Sequence, residues 1–467
     1  MKPSRKSHPG LSALMGWLGK TIHLCLSLIL VACTLALKTQ PPLALSSAPP
    51  AAEGHLTPQP TSFSLAENTS VLLYLPLATK MNSMEYKWQL WRNGPKLRGA
   101  NIWQRIRVPS DENYLGDGYI GPPYTLEDFT RLAELGANYV NLSIPGLFTE
   151  KPPYGVDENA VAHLDQLLEL VAQADLFAVI SFRTGPGRSD FTFYRDGAGV
   201  WYPADLLIET VWTDQAAQNA WADMWQYAAE RYRNHPNVVG YTLMVEPNAD
   251  EVALDLYDPA EFYPTYANTL YDWNRFYPPL VQAIRQVDPN TPILLSGMGW
   301  ASVLWLPYLQ PIADPHLVFV VDQYAPFVYT HQSPQENYGY PGQFDLNWDN
   351  QPDQFDWNWM ASYLERLPTY QQTHPGPQAV NEFGVARWAP QADDFLTDQI
   401  NYFETQQMNY AVWVWDSSYG PWQTWGSKAM NYLFGPDPNN FSEVPNDLFD
   451  VLHNAWSRNT LRPSNYP

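Results

Sequence analysis

Cysteine is nearly missing from this chain of 467 residues: the sequence contains two, Cys25 and Cys33, and both lie near the N-terminus. The rest of the chain therefore has neither a disulfide framework nor a cysteine metal site. The sequence also contains no H-E-x-x-H and no G-x-S-x-G, and no predicted strand is followed directly by G-x-G-x-x-G. These absences remove the main support for a zinc protease, a serine esterase or a dinucleotide-binding enzyme.

Positive charge is scarce as well. The chain has 26 Lys and Arg against 48 Asp and Glu, a net charge of -22. Such a surface repels phosphates, so we expect no nucleic acid among the partners and little attraction to anionic lipid. A neutral polymer would meet no such repulsion. Aromatic residues are abundant, at 15% with 20 Trp, which indicates a heavy core or a site that stacks on flat ligands such as sugar faces.

The N-terminal part of the chain has the order of an export signal. A basic start, "MKPSRKSHPG", precedes the apolar run "TIHLCLSLILVACTLAL" and then a stretch rich in Pro and Ala. We therefore predict a leader over residues 1–37, a linker over 38–60 and an extension over 61–95. The extension, which includes "YKWQLWRNG", is expected to form a short hairpin that covers the bottom of the following domain.

Three interpretations of the leader stay open. The motif "LVAC" resembles a bacterial lipoprotein box and would make Cys33 a lipidated N-terminus. The alternatives are a signal cleaved near "ALSSA" and an uncleaved anchor. We expect an extracytoplasmic protein, either secreted or a cell-envelope lipoprotein, and a monomer that meets the membrane only through an N-terminal lipid or anchor.

The main domain, over residues 96–460, alternates short apolar strands with amphipathic helices. "TLEDFTRLAELG", for example, begins with Thr125 and Asp128 in a capping-box arrangement and ends on Gly136. Eight strands are predicted, at 96–102, 137–145, 177–182, 238–246, 292–299, 317–324, 379–384 and 410–416. Apolar strands separated by helices indicate a parallel sheet covered on both faces, and eight such units favour an α/β fold of the (β/α)8, or TIM barrel, type.

Polar residues that end these strands are the candidates for chemistry, because the catalytic residues of such barrels lie at the C-terminal strand ends. They are Asn101, Asn141, Arg183, Glu246, Asp322 with Tyr324, Glu382 and Trp415. Two glutamates at strands four and seven would face one shared mouth. Glycoside hydrolysis needs such a pair, one protonated to assist the leaving oxygen and one ionised to attack the anomeric carbon.

Several motifs resemble the cellulase-like glycoside hydrolase family 5, whose members are (β/α)8 retaining glycosidases. The resemblance runs from about Lys96 to Ser457 and is carried by "LRGAN", "GYTLMVEPN", "DQYAPFVYTHQ", "VNEFG" and "VWVWD". It implies that Glu246 is the acid/base and Glu382 the nucleophile. It further implies that Tyr324 hydrogen-bonds the nucleophile.

The resemblance also implies a tryptophan on strand eight that stacks on the sugar, at Trp415 or, with a shift, at Trp413. Five further tryptophans lie in or near predicted strand-end loops: Trp103, Trp201, Trp300, Trp388 and Trp422. We expect about half of them to contact ligand, since most tryptophans of a barrel pack in its core. Trp300 and Trp388 are our candidates.

Four positions depart from the family pattern, which has Arg, His, Asn and His where this chain has Asn141, Arg183, Val245 and Asp322. The valine matters most, because the usual asparagine contacts the sugar 2-hydroxyl. Arg183 and Asp322 could rebuild the charges, for instance by Arg183 holding Glu382 ionised. Alternatively, the sugar differs, or the barrel binds glycans without cutting them.

The sequence thus predicts a retaining O-glycoside hydrolase that cleaves a β-linked poly- or oligosaccharide and needs no cofactor or metal. The alternative is a non-catalytic glycan-binding envelope protein on a degenerate barrel. Asn141, Arg183, Asp322 and Tyr324 are expected to bind substrate in either case.

Overall fold

The computed structural model describes residues 85–106, 119–200, 202–347, 349–416 and 425–466. The predicted leader, the linker and Cys33 lie outside the described residues. Among the residues it describes, no helix combines the length and apolar character needed to cross a membrane.

Eight parallel strands close into a barrel, which confirms the predicted (β/α)8 fold. In chain order they are β1 (Arg98–Trp103), β2 (Tyr139–Ile144), β3 (Phe177–Phe182), β4 (Val238–Thr242), β5 (Ile293–Ser296), β6 (Leu317–Gln323), β7 (Gln378–Phe383) and β8 (Asn409–Val412). Each strand pairs with its neighbours in sequence, and β1 closes the barrel by pairing with β8 as well as β2. Every residue of these eight strands is buried, as expected for strands covered on both faces.

Helices flank the barrel. They are α1 (Glu85–Trp91), α2 (Leu126–Glu134), α3 (Glu158–Gln173), α4 (Gln215–Tyr232), α5 (Ala249–Leu254), α6 (Pro259–Tyr266), α7 (Trp273–Val287), α8 (Phe327–Thr330), α9 (Trp357–Leu364), α10 (Arg366–Thr373), α11 (Ala392–Thr405), α12 (Trp425–Ala429) and α13 (Asp447–Trp456). The capping box predicted at Thr125 and Asp128 is present at the start of α2. Gly136 follows this helix with φ 99°, a left-handed conformation that suits glycine.

The bottom of the barrel is covered by the helix α1 and not by a hairpin. The hairpin predicted within 61–95 is therefore wrong for residues 85–91. Residues 61–84 lie outside the described part of the chain. The indole of Trp91 donates to the Val239 carbonyl (2.9 Å), and Leu90 and Trp91 pack with strand residues such as Phe177 and Val239. The segment "EYKWQLW" places Lys87, Leu90 and Trp91 on one buried side, which is a helical rather than an alternating pattern.

The loops at the C-terminal ends of the strands are long and carry extra elements. Three 3-10 helices, Asp190–Gly197, Ala204–Leu206 and Thr210–Trp212, follow β3, while α5 and α6 follow β4. Two short antiparallel sheets lie outside the barrel and pair Arg105–Ile106 with Ile120–Gly121 and Gly342–Phe344 with Asp353–Phe355. These loops build the walls of the mouth where the candidate residues lie.

Candidate active site

Three carboxylates meet at the mouth of the barrel. Oxygens of Glu246, Asp322 and Glu382 all lie within 4.8 Å of one another. They come from the segment after β4, from β6 and from β7. The two glutamates that the sequence analysis selected are therefore neighbours, although 136 positions separate them along the chain. Within the described parts of the chain, this is also the group whose oxygens could ligate a cation.

The sequence predicted that Glu246 ends strand four, and this is wrong. β4 stops at Thr242, and Glu246 lies four residues beyond it. The intervening chain stays attached to the barrel, because the Val245 amide donates to the Phe182 carbonyl (2.9 Å). Glu246 itself is left-handed, with φ 49°. For a residue with a side chain this conformation costs about 1–3 kcal/mol, which contacts with the surrounding structure must offset.

Glu382 is presented by an irregularity in β7. The pairing of β7 with β6 shifts between Val380 and Glu382, so that Glu382 lies opposite Asp322. Its side chain is 4% exposed. The Tyr324 hydroxyl donates to its Oε2 atom (3.0 Å), which is the contact that the family resemblance implied for this tyrosine.

Burial disfavours negative charge on all three acids. It raises the pKa of Glu246 to about 7, with Arg183 and Arg188 acting in the opposite direction. Burial and then the charge of Glu246 raise the pKa of Glu382 to about 8, against the effects of Arg183 and Tyr324. The pKa of Asp322 is raised well above its ordinary value by burial and by both glutamates. The cluster therefore keeps at least one proton near neutral pH.

Arg183 is the cation beside this cluster. Its Nε donates to Asp190 (3.2 Å) and its Nη1 to the Ser143 hydroxyl (3.3 Å), so it reaches from β3 over the end of β2. Asp190 is its ion-pair partner. The guanidinium carbon lies 3.8 Å from the ring centre of Phe193, a stacking contact in a buried setting. A positive charge thus lies near the mouth although β2 carries Asn141 in place of the family's arginine.

Asn141 is tied into the barrel rather than directed freely at a ligand. Its amide donates to Asn101 Oδ1 (2.8 Å) and its oxygen accepts from the Ser181 hydroxyl (2.5 Å). Asn101 in turn donates to the Asn381 carbonyl (2.8 Å), next to Glu382. This chain of hydrogen bonds supports the β7 irregularity. Asn141 nevertheless lines a small cavity together with both glutamates.

The tryptophans separate into packed and accessible ones. Trp415 is 2% exposed and its indole donates to the Asp128 carbonyl (3.2 Å), so it packs against α2 and the prediction that it binds substrate is wrong. Trp413, the alternative, is half-buried and lies 5.7 Å from the Arg183 guanidinium carbon. Trp103 is also buried.

Trp300 and Trp388 remain candidates for ligand contact. Both are half-buried. Trp300 is 5.8 Å from Phe193 between ring centres, and Trp388 is oriented by a hydrogen bond from its indole to the Gln332 carbonyl (2.8 Å). Trp201 and Trp422 lie outside the described residues.

Two residues near the acids were not selected from the sequence. Arg188, fully buried, donates to the carbonyls of Val245 (2.6 Å) and Glu246 (2.8 Å). Phe193 lies between Arg183 and Arg188, at 3.8 Å and 5.0 Å from their guanidinium carbons. Both belong to the loop after β3, where the glycine-rich run "TGPGRSD" was the available signal.

Comparison with known proteins gives a consistent result. The sequence model of cellulase, glycosyl hydrolase family 5, matches residues 101–419. Endoglucanase C of Acetivibrio thermocellus is 24% identical over 235 residues, covering 47% of this chain and 59% of that protein. A β-xylosidase of Phanerodontia chrysosporium is 24% identical over 185 residues, covering 38% of this chain and 33% of that protein. The matched part thus spans about three fifths or less of these relatives.

Solved structures resemble the whole barrel. The endoglucanase of the hyperthermophilic Thermotoga maritima has a TM-score of 0.54 at 16% identity, over 80% of this chain and 100% of that one. Another glycoside hydrolase has a TM-score of 0.55 at 19% identity, over 77% of this chain and 99% of that one. At these identities the likeness shows the fold alone.

Proposed function

Because this chain belongs to the cellulase family, glycosyl hydrolase family 5, we propose that it is a retaining glycosidase that cleaves β-linked poly- or oligosaccharides. The observation that carries the proposal is the approach of Glu246 and Glu382 oxygens to within 4.8 Å. Retaining enzymes hold their two carboxyl groups about 5–5.5 Å apart, whereas inverting enzymes leave about 6.5–9.5 Å for a water molecule.

In the first step, a carboxylate oxygen of Glu382 attacks the anomeric carbon while the glycosidic C–O bond breaks. The leaving oxygen takes the proton of Glu246. In the second step, Glu246 removes a proton from water, whose oxygen attacks the same carbon and releases Glu382. Glu382 attacks from the face opposite the leaving group, and water then attacks from the face that the leaving group has left. Each displacement inverts the anomeric carbon, so after two inversions the product keeps the β configuration.

The assignment of roles rests on one hydrogen bond and on the exposure of the two acids. The order of their pKa values, about 7 for Glu246 and about 8 for Glu382, does not make the assignment, because the two acids titrate as a pair that shares a proton. Tyr324 donates a hydrogen bond to Glu382, which favours the ionised form needed for attack. Glu246 is half-buried, whereas Glu382 is buried, and a proton donor must reach the leaving group on the open side of the mouth. Arg183 supplies positive charge to the pair.

The substrate is proposed from the relatives and from the residues of the mouth. The matched relatives are named as an endoglucanase and a β-xylosidase, so β-glucan and β-xylan are the first polymers to test. Trp413, Trp300 and Trp388 would stack on pyranose faces, and their neutral rings suit uncharged sugars. Val245 offers no hydrogen bond to a 2-hydroxyl, which keeps the non-catalytic glycan binder as the second candidate.

A panel of chromogenic β-glucans, β-xylans and β-mannans tests the proposal. We expect the parent protein to release dye from at least one of them and Glu382→Ala to release none. Glu134→Ala, which changes an exposed glutamate on α2, should behave as the parent. NMR of the first product should show the β anomer. A parent that binds a glycan but never releases dye would favour the binder, and an α product would contradict the retaining mechanism.

We also propose that the protein is exported and anchored through a lipid on Cys33. The basic start, the apolar run and the "LVAC" motif support this proposal. Labelling with a palmitate analogue in a bacterial host should mark the parent and Cys25→Ala but not Cys33→Ala. Equal labelling of all three, or of none, would contradict the lipid.

A further inference from the structure

Arg188 binds the backbone carbonyls on both sides of the Glu246 α-carbon. Its Nη1 donates to the Val245 carbonyl (2.6 Å) and its Nη2 to the Glu246 carbonyl (2.8 Å). These are successive carbonyls, so the fork of one guanidinium fixes two successive peptide planes. The orientation of those planes determines where the Glu246 side chain points.

The guanidinium is itself fixed by the turn that precedes it. Gly185 and Arg188 exchange backbone hydrogen bonds (3.0 and 2.9 Å), and the Trp221 indole of α4 donates to the Pro186 carbonyl (2.8 Å). Gly187 is left-handed, with φ 72°, and an added Cβ would lie 2.7 Å from the Val211 amide nitrogen. The turn therefore cannot shift easily, and it transfers the rigidity of α4 to the segment that carries Glu246.

We infer that Arg188 is the positioning residue of the proposed acid/base: its two hydrogen bonds hold Glu246 in the left-handed conformation that directs the carboxyl group into the mouth. This inference rests on the proposed function of Glu246 and adds a determinant of its geometry. Arg188 lies outside the sequence motifs that contain the two glutamates, since it contacts only backbone carbonyls there. It nevertheless determines whether Glu246, the proposed proton donor, is correctly placed.

Arg188 also contributes charge. It favours the ionised form of Glu246, as Arg183 does, while burial raises the pKa of Glu246 to about 7. The other groups that face this carboxyl across the mouth are Asp322 and Glu382, whose own pKa values are raised by it. Removing the charge of Arg188 should therefore raise the pKa of Glu246 further, and the alkaline limb of activity, where the acid is lost, should move to higher pH.

The test compares two substrates in Arg188→Met, Arg188→Lys and the parent. The first is 2,4-dinitrophenyl β-cellobioside, whose leaving group departs without a proton. The second is cellotetraose, whose leaving hydroxyl needs one. If the panel identifies another β-glycan, the corresponding pair is used. We expect Arg188→Met to lose about 100-fold in kcat/KM on the oligosaccharide, within the range of general acid catalysis, and less than about 5-fold on the aryl glycoside.

Arg188→Lys separates geometry from charge. Lysine keeps the positive charge but cannot span two carbonyls with a rigid fork. We expect it to lose activity selectively on the oligosaccharide, as Arg188→Met does, with its alkaline limb unmoved. Arg285→Met is the matched control, because Arg285 also binds two backbone carbonyls, those of Asp288 and Thr291, but lies before β5 at the opposite end of the barrel.

The outcomes are distinct. Equal losses on both substrates in a folded Arg188→Met protein, or no loss on either, would overturn the positioning role while leaving the glycosidase proposal intact. A parent inactive on every pair would overturn the proposed function and this inference with it. Thermal unfolding of each variant, measured alongside, shows that a selective loss does not come from an unfolded fraction.

Discussion

Glu382→Gln should make the protein more stable, and more so at alkaline pH. The carboxyl group is 4% exposed, and its pKa is raised from 4.5 to about 8 by burial and by the charge of Glu246. The folded protein therefore holds a proton that the unfolded chain releases, so the free energy of unfolding falls as pH rises between those two values. Glutamine has the same shape and never ionises, so this loss should disappear in the variant.

The size of the effect follows from the pKa shift. At 1.36 kcal/mol per pKa unit, a rise from 4.5 to about 8 corresponds to about 5 kcal/mol once the group is ionised. Asp322 and Glu246 share the same repulsion, so part of this energy belongs to them. We expect Glu382→Gln to raise the free energy of unfolding by about 2–4 kcal/mol near pH 9 and by less than about 1 kcal/mol near pH 5.

Urea unfolding at the two pH values measures the difference. Glu404→Gln is the control of opposite sign, because Glu404 pairs with Arg98 (2.6 Å), and hydrogen bonds from Arg98 and Tyr410 hold its pKa below the ordinary value. That group contributes stability above its unfolded pKa, so its replacement should destabilise the protein near pH 9. A gain for Glu382→Gln that is the same near pH 5 and near pH 9, or a loss at both, would refute the reasoning.

Three further predictions concern activity. The pH dependence of kcat/KM should be bell-shaped, with limbs near about 7 and about 8, because the proposed mechanism needs one proton shared between Glu246 and Glu382. An optimum near about pH 5 would contradict the raised pKa values. Tyr324→Phe removes the hydrogen bond to Glu382 and should lower kcat/KM by about 10- to 100-fold, the value of a bond to a charged group, while moving the acid limb to higher pH. An unchanged pH profile would show that the hydroxyl does not act on Glu382. Trp413→Ala should raise KM in steady-state kinetics with little change in the melting temperature. Trp415→Ala should instead lower the melting temperature measured by calorimetry, because emptying its place in the core lowers the free energy of unfolding by about 3–5 kcal/mol. The reverse pattern would exchange their roles.

Much of the fold could be predicted because local signals agreed with the tertiary arrangement. Apolar runs gave all eight strands, and the cap at Thr125 and the glycine at Gly136 marked the ends of α2. The prediction failed where the signal was short or where the chain departs from regular structure. The hairpin expected around "YKWQLW" is a helix, because its three buried residues follow helical rather than alternating spacing.

The site was predictable to the extent that it depends on strand order. Any closed parallel barrel brings strand ends to one mouth, so Glu246, Asp322 and Glu382 could be expected to meet. The choice between Trp413 and Trp415 could not be made from the sequence, because β8 ends at Val412 and both tryptophans follow it. Position alone could not distinguish the half-buried Trp413 from the packed Trp415.

The sequence by itself determined the barrel, the acidic character and the two glutamates, since these depend on composition, on hydrophobic period and on the order of elements. Only the tertiary structure decided what surrounds the glutamates. Arg183 reaches the mouth from β3 over the end of β2, and Arg188 binds carbonyls 57 and 58 positions away. Such contacts join long side chains to atoms of other strands and loops, and their geometry exists only once the barrel has closed.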